Sequence, residues 1–301
     1  MACVEEAIAV RKLGITRACI LFQGIFSRDE CHMMVKYNLE CVIHNHVQLQ
    51  WILAANVSEL LKVWIKIDTG MHRLGFDPQD VDGVLQALRA CSWIDPDIIL
   101  ITHLACADEI QSPYNKVQWD VFQHVCARYP DLKSSVANSA AILSWPQVHA
   151  DIVRPGIMLY GVSPFADQTA ADLDLKPVMR FVSVVTALHN YVANAPVGYG
   201  CTWSSPNPSL IGVVPVGYGD GYPRHIADNT PSWVNNRYAP IVGRVSMDML
   251  TIDLTQHPEV QLGDEVELWG PNLPVEVIAK AAQTIPYDLL CRVSPRVRGA
   301  L

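Results

Sequence analysis

The sequence predicts an α/β chain that ends in a β-rich domain, and three observations carry that expectation. Apolar runs of strand character alternate with helical patterns from residue 1 to about 160. Short β-rich runs broken by Pro, Gly and Asn take over across residues 176–267. An Ala- and Asp-rich stretch, residues 165–174, lies between them. Such alternation implies parallel strands joined by right-handed crossovers. The expected division is 1–171 and 172–301.

In order, residues 5–12 read as a helix and 18–22 as a strand. A helix over 27–37 leads to a strand over 40–43, and one over 46–55 leads to a strand over 61–67. Helices over 80–90 and 112–129 lead to strands over 98–102 and 134–136. A helix opens at Asn138, and a short strand follows at 152–153. That makes about six parallel strands. A closed barrel needs eight and an open doubly wound sheet tolerates six, so the count leaves both architectures open. In the second part, β runs are expected over 180–186, 210–214, 241–245, 249–254 and 265–268, with helical periodicity returning only over 275–284. That pattern reads as a separate antiparallel domain.

Composition narrows the function classes. With 301 residues, half of them hydrophobic, the chain can bury a sizeable core. The net charge of −8, with no offsetting Lys/Arg cluster, argues against nucleic acid or an anionic membrane as partner. No apolar run approaches the ~18 residues of a membrane span. Glu5, Glu6, Arg11 and Lys12 spoil a signal-peptide reading. The nine cysteines are odd in number and irregularly spaced, as for reduced thiols in a cytoplasm. No Cys or carboxylate at useful spacing joins His44 and His46, so no metal site is expected.

The chemistry-bearing residues gather at strand ends. Lys66, Asp68 and Arg73 follow the apolar Val63-Trp64-Ile65, with Gly70 and Gly75 in the same turn. Ligands are handled at the C-terminal ends of strands in alternating βα folds. His103 follows Ile98-Ile99-Leu100-Ile101-Thr102 and reads equally as a catalytic or a structural histidine. Asn138-Ser139-Ala140-Ala141 opens a helix after a strand, which suits an anion, although an ordinary N-cap is commoner. Gly156 ends the next strand beside Arg154 and would let the backbone approach a ligand. In eight-stranded barrels a phosphate is commonly held at the last two βα turns. Two Gly-Tyr-Gly turns, at Tyr199 and Tyr218, and the turn Ser246-Met247-Asp248 hint at a shared polar surface in the second part. No phosphate loop ending in Gly-Lys-Ser/Thr occurs.

Taken together these segments resemble alanine racemase, in family order and over essentially the whole chain. The matching stretches are residues 66–75, Thr102-His103-Leu104-Ala105, 137–141, 153–161, 197–200, 216–224, 242–249 and 287–293. The resemblance implies a fold-III pyridoxal 5′-phosphate (PLP) enzyme with a (β/α)8 barrel followed by a β domain. It also implies a head-to-tail homodimer in which one subunit's β domain covers the other's barrel mouth. Tyr199 is similar to the tyrosine that exchanges the Cα proton of alanine on one face. A phenol ordinarily titrates near ~10, so it needs help as a base. His103 resembles its hydrogen-bond partner, with Arg154 beyond and facing the pyridine nitrogen. Ser139, Gly156, Ile157 and Tyr287 resemble phosphate ligands. Arg73 resembles a group near the cofactor's phenolic oxygen and the substrate carboxylate, Met247 N–H a second carboxylate contact, and Tyr218 a gate residue. Lys66 matches a lysine carbamylated in some members. Alanine, rather than serine, follows from the resemblance alone.

One departure is large. The family's first strand carries Val-Lys-Ala-Asn-Ala-Tyr-Gly-His-Gly, whose lysine tethers PLP and acts as the second base. Nothing in this chain matches it. Met1-Ala2-Cys3-Val4 aligns with the end of the family's second barrel strand, so the expected barrel lacks its first strand, first helix and most of its second strand. The expectation is a fragment, inactive and aggregation-prone as written, with unpaired edges at 18–22 and at Val153. A one-base route through Tyr199 would be slow, since a positioned acid–base group contributes ~10²–10⁴-fold. The alternative is a non-catalytic, PLP-binding or interaction descendant of a racemase. A fold-III decarboxylase for basic amino acids ranks lower, because the Gly-Tyr-Gly turns and Arg154 follow the racemase pattern.

Overall fold

The computed structural model describes residues 1–297 and 299. The chain forms two compact units, Met1–Pro155 and Gly156–Leu301.

The first unit runs α1 (Val4–Lys12), β1 (Ile20–Leu21), α2 (Glu30–Tyr37), β2 (Glu40–Ile43), α3 (His46–Leu53), β3 (Lys62–Lys66), α4 (Val81–Arg89), β4 (Ile99–Ile101), α5 (Pro113–Cys126), β5 (Lys133–Ser135) and α6 (Ser139–Ser144). Helix α4 buries Val81, Val84, Leu85 and Leu88, the i, i+3, i+4, i+7 stripe of a one-sided helix. Helix α3 begins where the Asn45 side chain accepts from Gln48 N–H at 2.9 Å, and α5 begins on Pro113, whose missing N–H costs nothing in a first turn.

All five strands are parallel and lie in chain order, β1-β2-β3-β4-β5. Right-handed crossovers that always step the same way put the helices on one face. The other face must then bury itself by curling. Val42, Trp64, Ile99 and Ile101 form a buried cluster there, and both Ile20 at the first strand and Ile152 beyond the last pack on it. This is the curl of a barrel wall and not of an open doubly wound sheet. The period of two along β3 puts Lys62, Trp64 and Lys66 on that inner face, so Lys66 stands at its C-terminal rim.

The sixth strand expected at 152–153 is reduced to a single bridge, Ser135 to Ile152. Asp151 and Ile152 N–H both turn onto Ser134 O, and the Asp151 carboxylate takes Ser134 N–H at 2.8 Å. Arg154 N–H then bonds Ala137 O, and Pro155 has no donor to continue a ladder.

The second unit holds β6 (Phe181–Val184), β7 (Ala187–Tyr191), β8 (Pro196–Val197), β9 (Trp203–Ser204), β10 (Ser209–Val214), β11 (Pro231–Val234), β12 (Arg237–Val242), β13 (Leu250–Asp253), β14 (Glu265–Trp269), α7 (Val275–Ala281) and α8 (Pro286–Arg292). Seven strands pair antiparallel in the order β6-β14-β11-β12-β13-β10-β7, and β8 pairs with β9. The edge strands β6 and β7 are joined only by Val185 and Thr186. Val185 N–H bonds Asp264 O at 2.9 Å beside β14, and Thr186 N–H bonds Val213 O at 2.8 Å on β10. One short step therefore links opposite ends of the sheet, which must curl nearly shut. Its core stacks Phe181 on Trp269 at 4.4 Å and Tyr222 on Trp269 at 5.9 Å between ring centroids. Strands β7, β8, β9 and β11 and helix α8 are additions to what the sequence led us to expect. Strand β12 lies earlier than the run expected over 241–245, because Gly243 turns at φ +70° and ends it.

Candidate active site

In the first unit, Lys66, His103 and Arg154 stand at strand C-termini. Arg154 is the hub. Its Nη1 donates to Ser135 Oγ at 2.6 Å, and its Nη2 donates to Thr102 O at 2.8 Å and Val136 O at 2.9 Å. Nη2 also lies 3.3 Å from His103 Nδ1. Guanidinium has only donors, so Nδ1 must accept and the neutral ring carries its proton on Nε2. Burial pushes Arg154 down to about 10, still protonated at neutral pH. His103 is pushed down to about 3, first by burial, then by the positive charges of Arg154, Lys66 and Arg73. Lys66 falls to about 8, by burial and by Arg154 and Arg73 against the pull of Asp68. Crowded cations around a neutral imidazole describe a place built to receive negative charge.

The turn bearing Arg73 is tied by Asp68, whose Oδ1 accepts from Gly70 and His72 N–H at 3.0 Å each. Burial raises the Asp68 carboxyl, but these donors and the His72 ring outweigh it and leave it below the usual range. Tyr114 OH holds Gly70 O at 2.8 Å, and Arg73 itself is exposed. Ser139 begins α6 and is buried, next to the N-cap Asn138, whose side chain accepts from Ala141 N–H at 3.1 Å.

In the second unit, Gly156 precedes the 3-10 turn Ile157–Tyr160, Ile157 is buried in the core, and Tyr287 lies exposed in the first turn of α8. Tyr199 sits in the turn Tyr199–Cys201 and is 65% exposed. Its preceding Gly198 takes φ +78°, which L side chains avoid. A hollow of about 430 Å³ beside it is lined by Val213, Arg244, Ser246, Met249 and Thr251 among others. The second Gly-Tyr-Gly turn uses glycine differently. A Cβ on Gly217 would lie 2.2 Å from Ser246 O, so glycine permits two backbones to meet. Tyr218 N–H bonds Ser246 O at 3.1 Å and Gly219 N–H bonds Met247 O at 2.9 Å. The turns carrying Tyr218 and Met247 are thereby one surface. Arg296 Nε and Nη2 pin it through Asp220 and Asp248, each at 2.8 Å.

Several residues of these surroundings escaped the sequence reading. Ser135 and Gln118 are fully buried polar groups, and a short strand or a helix pattern gives no sign of that. Arg224, over the Tyr218 ring at 5.6 Å, and Arg244 fall inside resembling segments but carried no expected role. Among the described residues no His/Cys/Asp/Glu group is arranged to hold a metal ion, and no helix is long and apolar enough to cross a membrane.

Comparison with known proteins decides the family. The family model "Alanine racemase, N-terminal domain" matches residues 1–164, and "Alanine racemase, C-terminal domain" matches 178–300. The chain belongs to the alanine racemase family. An alanine racemase of Legionella pneumophila is 56% identical over 299 residues, covering 99% of this chain and 83% of that one. One of Shewanella baltica is 44% identical over 301 residues, covering 84% of its length. Among solved structures, biosynthetic alanine racemase from Pseudomonas aeruginosa matches at TM-score 0.94 and 43% identity, covering 98% of this chain and 82% of that one. Alanine racemase from Bartonella henselae, solved with covalently bound PLP, matches at TM-score 0.87 and 28% identity, covering 99% and 82%. The racemase fold expected from the sequence, a parallel α/β part followed by a β-rich part, is thus the fold of the family, and the protein is a PLP-dependent isomerase.

Proposed function

We propose that this chain carries the tyrosine-side machinery for interconverting L- and D-alanine in a cytoplasm, at sites shared between two copies. The Tyr199 of one copy faces the strand-end cluster of the other. The observation that carries the reading is the His103–Arg154 pair, a neutral imidazole whose Nδ1 is held by a guanidinium.

The residues present suit PLP. Ser139, Gly156, Ile157 and Tyr287 would hold its phosphate, and Arg154 would face its ring nitrogen. Arg154 stays charged at neutral pH, so it can donate a hydrogen bond there but cannot hand over its proton. Bound PLP supplies the electron withdrawal that makes the amino acid's Cα–H acidic. Tyr199 oxygen exchanges that proton on one face. His103 Nε2–H donates to the tyrosine oxygen, and burial with the nearby cations keeps that imidazole neutral, its Nδ1 on Arg154. Arg73 and Met247 N–H grip the substrate carboxylate, while Tyr218 sits at the gate. At a pKa of about 8, Lys66 is partly neutral near pH 7. Its Nζ can then add to CO₂, forming a C–N bond and releasing a proton, and the carbamate anion lies among Arg73 and Arg154.

The opposite face of Cα needs a second base, and the chain carries no Val-Lys-Ala-Asn segment to provide one. We infer that racemisation requires that lysine. The test compares the chain as it stands with one extended by a strand bearing the segment, each with PLP and L-alanine. The extended chain should form D-alanine, bind PLP tightly and sediment as a dimer. An extended chain that binds PLP and dimerises yet forms no D-alanine overturns the catalytic reading and favours a PLP-binding descendant.

A further inference from the structure

We propose that Gln118 is a positioning residue that sets the placement of His103 and ties it to the turn carrying Arg73. The inference rests on the reading of His103 given above and adds a residue which that reading does not contain.

Gln118 lies on α5 with no exposed surface. A buried primary amide must satisfy two donors and an acceptor, so where it points is decided by its partners. Oε1 accepts from Ala105 N–H at 2.8 Å, and Nε2 donates to His103 O at 3.1 Å. One side chain therefore grips the loop after β4 by its acceptor and its donor, on either side of Leu104. Nε2 also donates to Thr69 Oγ1 at 3.2 Å. Thr69 Oγ1 lies 2.8 Å from Thr102 Oγ1, which donates to Ile67 O at 2.9 Å. Thr69 and Thr102 are themselves buried. The network thus joins both strand ends that flank the cluster, and every link is a hydrogen bond in a water-poor interior. There a bond is strong and an unmade one is penalised.

Asn115, one turn earlier on the same helix, offers an internal control. Its Nδ2 donates to Cys106 O at 2.9 Å and Glu109 O at 3.1 Å, so it fastens the remainder of the loop without touching His103. Two amides on one helix face divide the work. Asn115 holds the loop down, and Gln118 holds the residue that matters.

The histidine tautomer reports this placement and does not depend on turnover. The full chain, labelled with ¹⁵N-histidine, should show His103 as one tautomer, protonated at Nε2 with Nδ1 accepting from Arg154. Gln118→Met keeps the length and removes all three hydrogen bonds. It should populate the Nδ1–H form of His103 detectably, and Thr69→Val should do so to a smaller extent. Asn115→Leu should lower the melting temperature comparably while leaving His103 in one tautomer. If Gln118→Met fails to fold, Thr69→Val decides. A folded Gln118→Met, or in its absence Thr69→Val, with His103 unchanged overturns the proposal. So does an equal disturbance from Asn115→Leu, which would mark a general loss of packing. Both tautomers in the unmutated chain would instead overturn the reading of the His103–Arg154 pair itself.

Discussion

The strand-end cluster of the first unit and the tyrosine turns of the second solve opposite problems. In the first, Arg154 makes four contacts to fixed partners, His103 is held neutral, and Gln118 and Thr69 lock the loops from behind. Charge, hydrogen bonding and burial all act within one unit. In the second, Tyr199 is 65% exposed and Met247 is 53% exposed, and both are held by backbone turns. The first region is preorganised by its own packing. The second presents groups whose chemical environment must come from whatever covers them, as the proposed second copy would. Substitutions should separate activity from stability in one region and fuse them in the other.

The largest contrast is expected at Tyr199. In the lysine-bearing chain, Tyr199→Phe should reduce racemisation ~10²–10⁴-fold, the usual contribution of a positioned acid–base group. Because the side chain is exposed, unfolding by urea should move by no more than about 0.5 kcal/mol. Proton exchange into one enantiomer of alanine in D₂O should suffer most. A variant that loses stability in step with activity would erase the distinction between the two regions.

Arg154→Met should show the reverse coupling. Ser135 Oγ, Thr102 O and Val136 O would lose their donor, and an unmet buried partner costs about 1–3 kcal/mol. Relief of the cation's own burial offsets part of this, so a net loss of about 2 kcal/mol is expected by denaturant titration. The His103 pKa should rise, since Arg154 is the second cause of its depression, but should stay below normal because burial is the first.

Much of this contrast was readable from residue order. Strand β2 appears at 40–43 as expected, and the rim positions of Lys66, His103 and Arg154 follow from apolar runs that end in polar residues. What escaped depends on three-dimensional satisfaction. Gln118 stands in Lys116-Val117-Gln118-Trp119-Asp120, where a polar residue reads as a solvated helix face, yet its partners come from residues 69, 103 and 105. Strand β7, Ala187–Tyr191, is a sheet edge with no buried residue, so it lacks the apolar signal of a central strand. The sixth parallel strand fails for a local reason, the Asp151 carboxylate on Ser134.

Acid should probe the first region selectively. The folded pKa of His103, about 3, lies below the ordinary imidazole value of 6.5, so the unfolded chain binds the extra proton first. Its contribution to stability is whole above pH 6.5 and is lost as pH falls towards 3. His103→Gln should flatten the fall in melting temperature over that window. Lys66 has the same sign at higher pH. Its charged form is penalised in the fold below about pH 8, and the penalty disappears as pH climbs towards 10.5. Lys66→Met should therefore raise the melting temperature most at pH 7 and progressively less above 8. A pH-independent gain would show that the lysine is not desolvated.

The smallest effect is expected at Arg296. It bridges Asp220 and Asp248 on the two turns that carry Tyr218 and Met247, yet it is half exposed, and exposed ion pairs are worth about 0–1 kcal/mol. Arg296→Gln should lower stability by less than about 1 kcal/mol, and added salt should shrink the difference. The backbone bonds of Tyr218 to Ser246 and Gly219 to Met247 remain, so the turns should keep their contact. If Met247 N–H grips the substrate carboxylate, loosening Asp248 beside it should raise KM for alanine several-fold with little change in kcat. A kcat loss as large as that of Tyr199→Phe would mean that the exposed surface depends on its ion pairs as strictly as the buried cluster depends on Arg154.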